Sequence, residues 1–330
     1  MDPPDWLERR QVTVYAVAVV LAVGVGVGRP GAASWIERLI DPTLAILLYV
    51  TFLQIPFVRL RRAVSNGRFL AAALGMNFLV VPVVVWGLTR FLPGRPTVLV
   101  GVLFVLLTPC VDYVITFTEL AGGDAEQITA TTPALLFVQL LLLPAYLWLF
   151  VGREVATVVE AGPFVEAFVS LIVLPLSFAW LTEVWAERSV RGDCWQRAMG
   201  WLPVPMMGAT LFVVIASQLP RVRGSIVGIA AIVPIYVAFL VVMPLLARTA
   251  TRSLGMDVRE GRALVFTSVT RNSLVILPLA LALPAGYELV PAVVVTQTLV
   301  ELVGMVALTR VVPAWLLPGP DEPAAGMQTG

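Results

Sequence analysis

The chain has 330 residues, 59% hydrophobic and 13% charged, with a formal net charge of +1 and a mean hydropathy of +0.91. A soluble domain is about 45–50% apolar and about 25% charged, so the composition selects a polytopic helical membrane protein. There is no basic stripe with interleaved aromatics to suit a nucleic acid. With no His and only Cys110 and Cys194, the chain also lacks a disulfide framework, the commonest metal ligand and the usual near-neutral proton carrier.

Arg9 and Arg10 precede the first apolar run, but that run continues at spanning length, so no cleavable signal peptide is expected. Taking about 20 apolar residues per crossing, the sequence predicts ten helices: 12–28, 42–58, 69–92, 97–119, 128–151, 164–185, 197–218, 224–247, 263–284 and 288–316. Arginine supplies every basic residue. With the N-terminus inside, 14 arginines fall on the inner side and 7 on the outer, while Arg271 lies within a span. That bias puts both termini in the cytoplasm. Gly24, Gly26 and Gly28 suggest close helix packing. Trp180, Trp185, Trp195 and Trp201 read as interfacial anchors, and Cys194 falls in a charged loop between the sixth and seventh spans. The tail from Pro318 to Gly330 is short, polar and rich in Pro and Gly, and is expected to be disordered.

Three ionisable residues lie deep inside apolar spans: Asp112, Arg271 and Glu301. A charge at mid-bilayer costs roughly 2.5–3.5 kcal/mol on insertion scales, so such residues mark a cavity, a partner or a pathway. The fourth span is interrupted at Thr108-Pro109-Cys110, where proline removes a backbone hydrogen bond. The ninth carries a polar run from Thr267 to Ser273 at similar depth. From Cys110 to Gln139 is 29 residues, and from Asn272 to Glu301 is also 29. Five spans per half is an odd number, so a repeat would be inverted in the membrane, and paired interrupted helices point to a transporter site. The expected organisation is a first five-helix repeat over 1–160, a second over 161–317 and a tail over 318–330.

On position alone, Cys110 reads as a small buried apolar residue. Its neighbour Pro109 frees carbonyls at a depth where irregular backbone must line protein or a wet cavity, and a soft sulfur there suits a thiophilic solute. One thiol makes no multidentate cage, so binding at Cys110 should be weak and reversible, and no resident metal or cofactor is expected. Asp112 and Arg271 lie beside the two breaks and are expected to pair, either to fix a crossing or to serve transport. Glu301 has no basic neighbour in sequence and is a candidate proton carrier or a carboxyl bonded to an adjacent helix. Gln139, its counterpart by spacing, offers a neutral donor and acceptor. No Walker A phosphate loop is present, which argues against an ATP-driven pump.

The stretch Leu107-Thr108-Pro109-Cys110, followed by Gly122-Gly123-Asp124 and the fifth span, resembles the arsenite-efflux permeases of the bile acid/sodium symporter superfamily. Leu299-Val300-Glu301-Leu302-Val303 resembles that family's Leu-Val-Glu-Val-Pro segment. The resemblance implies an all-α membrane protein of ten helices in two inverted five-helix repeats, with the fourth and ninth helices broken and crossing. It also implies export of arsenite, and in some members antimonite, without ATP, with the essential cysteine falling on Cys110 and the essential glutamate on Glu301. Gln139 falls where some members have a glutamine. Family members usually carry Asn-Asn-Phe-Glu in the ninth helix; here Arg271-Asn272-Ser273-Leu274 stands in its place, so an acid is lost and a cation has entered. The resemblance therefore does not extend to sodium coupling, and Asp112 is the candidate compensating charge.

The leading expectation is a secondary carrier that exchanges arsenite for protons. It would bind substrate at Cys110, Glu301, Asn272 and Gln139. Its partners are a small solute, a coupling ion and the lipid bilayer. The alternatives are an ion-coupled carrier of a small organic anion held by Arg271, and a membrane sensor that binds without transporting. An intramembrane enzyme is disfavoured, because there is no His, no paired aspartates and no clear nucleophile–base pair.

Overall fold

The computed structural model describes residues 7, 10–54, 66–92, 96–110, 113–151, 169–222, 230–281, 283 and 286–319. Asp112, the boundary expected at 160/161 and tail residues 320–330 lie outside the described residues. Among the described residues the chain is helical, and the sole extended pairing is one isolated bridge. This is the form an apolar chain takes in hydrocarbon, where each segment must satisfy its own backbone groups.

The helices are α1 (Gln11–Gly28), α2 (Ala33–Glu37), α3 (Ile40–Phe52), α4 (Gly67–Thr89), α5 (Pro96–Leu106), α6 (Val114–Leu120) and α7 (Ala125–Val151). They continue as α8 (Leu174–Arg188), α9 (Val190–Met199), α10 (Pro203–Val222), α11 (Val233–Ser253), α12 (Val258–Val269), α13 (Ser273–Leu281) and α14 (Val290–Val311). Three π turns accompany them: Met76–Val80 inside α4, Val169–Val173 before α8 and Val312–Leu316 after α14. Among the described residues five helices are long and apolar enough to cross a membrane. Counting the bent pair Thr13–Gly28 and Pro30–Glu37, which turns through 104° at Arg29, gives six. The expected fourth and ninth spans are each interrupted, as α5/α6 and α12/α13.

The chain divides into two compact units, each drawing on both halves of the sequence. One comprises Met1–Val58, Glu154–Ile229 and Leu274–Val295; the other comprises Arg59–Arg153, Ala230–Ser273 and Thr296–Gly330. In the first unit α1 packs on α10 at Gly26, where a Cβ would lie 3.2 Å from the Ala216 carbonyl and from Leu219. Gly24 and Gly28 face open space, so of the glycine run only Gly26 makes a close approach. The charged loop expected around Cys194 is instead the helix α9. Ser189 caps it by accepting from the Arg191 N–H, and Arg197 pairs with Asp193 one turn earlier. Local capping and an i,i+4 ion pair thus make a helix of a stretch too polar to read as a span. Trp195, on the same helix, donates to the Tyr49 hydroxyl at 3.1 Å, and that hydroxyl meets Thr182 at 3.0 Å.

The second unit holds all the buried charges discussed below. α6 turns into α7 through Gly122, at φ +66°, a conformation that favours glycine. A Cβ on Gly123 would lie 2.7 Å from the Thr118 methyl and 3.1 Å from the Ala263 nitrogen, so that turn must stay bare. The buried Arg262 donates to the Ala121 and Leu317 carbonyls, each at 3.0 Å, and so satisfies two helix ends. Asp257 and Glu260 form a capping box that starts α12. Glu260 also ties in the starts of α4 and α7: it accepts from Asn66 at 2.7 Å, from Arg68 at 3.0 Å and from Gln127 at 3.4 Å.

Burial raises the Glu260 pKa, but the bonds from Asn66, Gln127 and the Asp257 N–H, with the Arg68 charge, outweigh it and hold the carboxyl below the usual range. A folded-state pKa below the unfolded value stabilises the fold above about 4.3. That contribution is lost as pH falls through the folded-state value. The thermal midpoint of the purified protein should therefore fall on acidification below about pH 4.3, and Glu260→Gln should flatten that fall. Equal pH slopes in parent and variant would show that these bonds do not hold Glu260 ionised.

Candidate functional site: two broken helices and their charges

α5 stops at Leu106 because Pro109 cannot donate to the turn before it. The Thr108 hydroxyl turns back onto the Phe104 and Val105 carbonyls, at 3.0 and 3.1 Å. α12 stops at Val269 in the same way, with the Thr270 hydroxyl on the Phe266 carbonyl at 2.8 Å. The two freed segments meet as an antiparallel bridge, Pro109 opposite Arg271. Its hydrogen bonds run from the Cys110 N–H to the Thr270 carbonyl at 3.1 Å and from the Asn272 N–H to the Thr108 carbonyl at 2.8 Å. Pro109 and Arg271 thus form the non-hydrogen-bonded pair of the bridge, the one register in which a proline's missing donor costs nothing.

Two helix C-termini meet at this bridge, each carrying roughly half a negative charge on unsatisfied carbonyls. The Arg271 guanidinium lies against both. It donates to the Leu106 carbonyl at 3.3 Å, at the end of α5, and to the Thr267 and Val269 carbonyls at 3.1 and 3.4 Å, at the end of α12. A fourth bond goes to the Asn77 side-chain oxygen at 2.9 Å. Asn77 sits in the π turn of α4 and donates to the Ala73 carbonyl, a local widening of the kind found at functional sites. The Phe239 ring lies 5.4 Å from the guanidinium carbon. Arg271 is fully buried.

The Arg271 backbone N–H, unused by the bridge, donates to both oxygens of Glu301, at 3.0 and 3.2 Å. Glu301 also receives the Gln297 amide, one turn earlier on α14, and the Ser273 hydroxyl donates to Gln297 at 2.8 Å. The Tyr113 hydroxyl lies 2.5 Å from Glu301 and 3.2 Å from the Arg271 carbonyl. Its one proton can serve either acceptor. With Glu301 ionised, Tyr113 donates to the carboxylate. With Glu301 protonated, the carboxyl can donate to Tyr113, which then donates to the carbonyl. The carboxyl therefore has a bonded arrangement in both protonation states.

The structure brings Pro109, Cys110, Arg271, Asn272 and Glu301 together at the bridge, all within the second unit. Cys110 is a buried thiol opposite Thr270, and Asn272 is buried opposite Thr108 in the pairing. Gln139, on α7 in the same unit, is 1% exposed, and neither its amide nitrogen nor its oxygen has a hydrogen-bond partner among the described residues. A buried polar pair so placed calls for a water or a ligand. Among the described residues no cluster of three or more His, Cys, Asp or Glu could hold a metal ion. Asn77, Tyr113, Gln297 and Phe239 are the residues that reading the sequence missed. Two of them left a signal: Asn77 is the one amide within the apolar run 69–92, and Gln297 precedes Glu301 by one helical turn.

The family model for the sodium bile acid symporter family matches residues 41–225, more than half of the chain. Cys110 and Gln139 fall inside the matched stretch, and Arg271 and Glu301 lie beyond it. No curated protein matches the chain.

Removing one acceptor from a buried guanidinium should cost roughly 1.5–3 kcal/mol. Asn77→Leu should therefore lower the stability of the purified protein by about that amount in denaturant or thermal unfolding. A midpoint equal to the parent's would show that Asn77 does not hold Arg271.

Proposed function

Because the chain belongs to the sodium bile acid symporter family, a family of multi-pass membrane transporters, we propose that it is a secondary carrier exporting arsenite in exchange for protons. The observation that bears most on this reading is the buried Cys110 thiol at the meeting of two helix ends whose charge is already offset by Arg271. A site with its charges cancelled suits a neutral solute, and arsenous acid is neutral and thiophilic. The thiol attacks arsenic, an As–S bond forms, an As–O bond breaks, and the thiol proton leaves with the hydroxyl as water. The reverse step, hydrolysis, releases the solute. A single sulfur keeps the contact reversible, as transport requires. Asn272 and Gln139 provide amide groups for the remaining hydroxyls.

Glu301 is the coupling group in this reading. Its two bonded arrangements, one ionised and one protonated, let it take and give up a proton without leaving a buried charge unpartnered. The fold proposed to carry out this exchange is ten spans in two inverted repeats, 1–160 and 161–317, in the cell membrane with both termini in the cytoplasm. Two observations support the repeat: each compact unit interleaves segments from both halves, and each half contributes one broken helix to the bridge. Rocking of one helix bundle against another would then alternate access to the site. Against a carrier that holds an organic anion at Arg271 stands the enclosure of the guanidinium, whose donors are directed at four protein oxygens.

Arsenite uptake into everted vesicles, with and without an imposed pH gradient, tests the reading. The parent should accumulate arsenite in response to the gradient. Cys110→Ser should abolish uptake. Glu301→Gln, which keeps the shape but not the titratable proton, should still bind arsenite yet lose its response to pH. Normal arsenite flux in Cys110→Ser would overturn the thiol mechanism and leave the anion carrier in its place. A parent-like pH response in Glu301→Gln would remove Glu301 as the coupling group.

A further inference from the structure

We infer that Arg271 is a built-in cation occupying a monovalent-cation site, so that this carrier works without sodium and its helix crossing becomes a sodium site only when the guanidinium is removed. Four oxygens converge on the guanidinium: the carbonyls of Leu106, Thr267 and Val269 and the side-chain oxygen of Asn77. They come from three helices, α4, α5 and α12, and none is a carboxylate. Carbonyls at the ends of broken helices and an amide oxygen, with no net charge, are the ligand set that holds a sodium ion where half-helices meet inside a membrane. Two helix dipoles point their negative ends at the same spot, so the position demands a positive charge, whatever its source.

Here that charge is covalently attached. Arg271 belongs to one of the two segments that create the site, and its backbone is fixed by the bridge on one side and by Glu301 on the other. The guanidinium stays ionised at any pH the protein meets. It is fully buried and four of its five N–H donors bond the very oxygens that would hold an ion, which leaves those oxygens no room for a second cation. A mobile ion has to bind and leave in each cycle; a tethered one cannot. The consequence is a crossing that holds its charge throughout the cycle and leaves Glu301 as the one titratable carboxyl bonded to it among the described residues.

This inference rests on the transporter reading above, but its test does not need arsenite. The thermal midpoint of the purified full chain is measured in sodium, in choline and in guanidinium chloride at equal, non-denaturing ionic strength. The parent should melt at the same temperature in all three. Arg271→Gly and Arg271→Ala, which empty the site, should melt lower than the parent in choline and regain several degrees, saturably, in sodium or guanidinium, because an ion that binds only the folded state raises its stability. Asn77→Leu combined with Arg271→Gly, which removes one of the four oxygens, should weaken that rescue. A saturable sodium shift in the parent overturns the inference whether or not any variant folds. So do emptied variants that melt alike in the three salts, or that cannot be recovered in any of them. Arsenite flux is then compared in sodium and choline. Sodium rescue of stability without arsenite transport in any variant or the parent would overturn the arsenite reading and leave the cation inference standing.

Discussion

The bridge between residues 108–110 and 270–272 is the constraint from which the rest of the second unit follows. Two half-helices end there because a proline and a polar run cannot continue them, and the loose ends satisfy each other across a single antiparallel pairing. The register has two consequences. It puts Pro109 where no donor is needed, and it leaves the Arg271 N–H pointing away from the bridge, where it meets Glu301. The same pairing brings two negative helix ends together, and the side chain of the residue opposite the proline neutralises them. One residue therefore closes the backbone pairing, offsets both dipoles and holds the carboxyl. Its loss would leave buried carbonyls of two helices without a donor, which is the costly case for polar groups out of water.

The cationic and anionic groups of this centre are enclosed differently. The guanidinium donates to four oxygens of the protein, which fixes it as part of the scaffold. Glu301 is bonded by Tyr113, Gln297 and a backbone N–H, a set that includes one hydroxyl able to reverse its donation. A fixed positive charge beside a convertible carboxyl is a reasonable foundation for a carrier that moves a neutral solute one way and a proton the other. Family membership supplies the general frame of a membrane transporter. The proposed substrate and coupling ion rest on the chemistry of Cys110, Arg271 and Glu301.

Much of this centre was legible in the sequence, for a simple reason. In a chain so apolar, Arg271, Glu301, Pro109 and Cys110 interrupt long hydrophobic runs, and each interruption needs a physical justification. The breaks in the fourth and ninth spans could be seen because proline and clustered Ser, Thr and Asn disfavour a continuous helix. What one residue string cannot display is which groups lie near the ends of helices. From the sequence Arg271 is expected to seek a carboxylate, Asp112, which lies outside the described residues. Among the described residues the guanidinium is engaged by three backbone carbonyls and the Asn77 oxygen, and no residue letter advertises a carbonyl. Tyr113 and Phe239 carry no such signal, because an aromatic residue in a span is ordinary core. The helix around Cys194 reads as loop in the sequence because it is polar, although Ser189 and the Asp193–Arg197 pair mark it as a short surface helix.

The central claim is that the guanidinium of Arg271 fills the meeting point of the two helix ends. The most direct test is a structure of the protein in lipid, determined in thallium, whose anomalous scattering marks sites for monovalent cations. The account predicts guanidinium density bridging Asn77, the end of α5 and the end of α12, with no thallium peak among those oxygens. A thallium peak there, with the Arg271 side chain turned away, would contradict it.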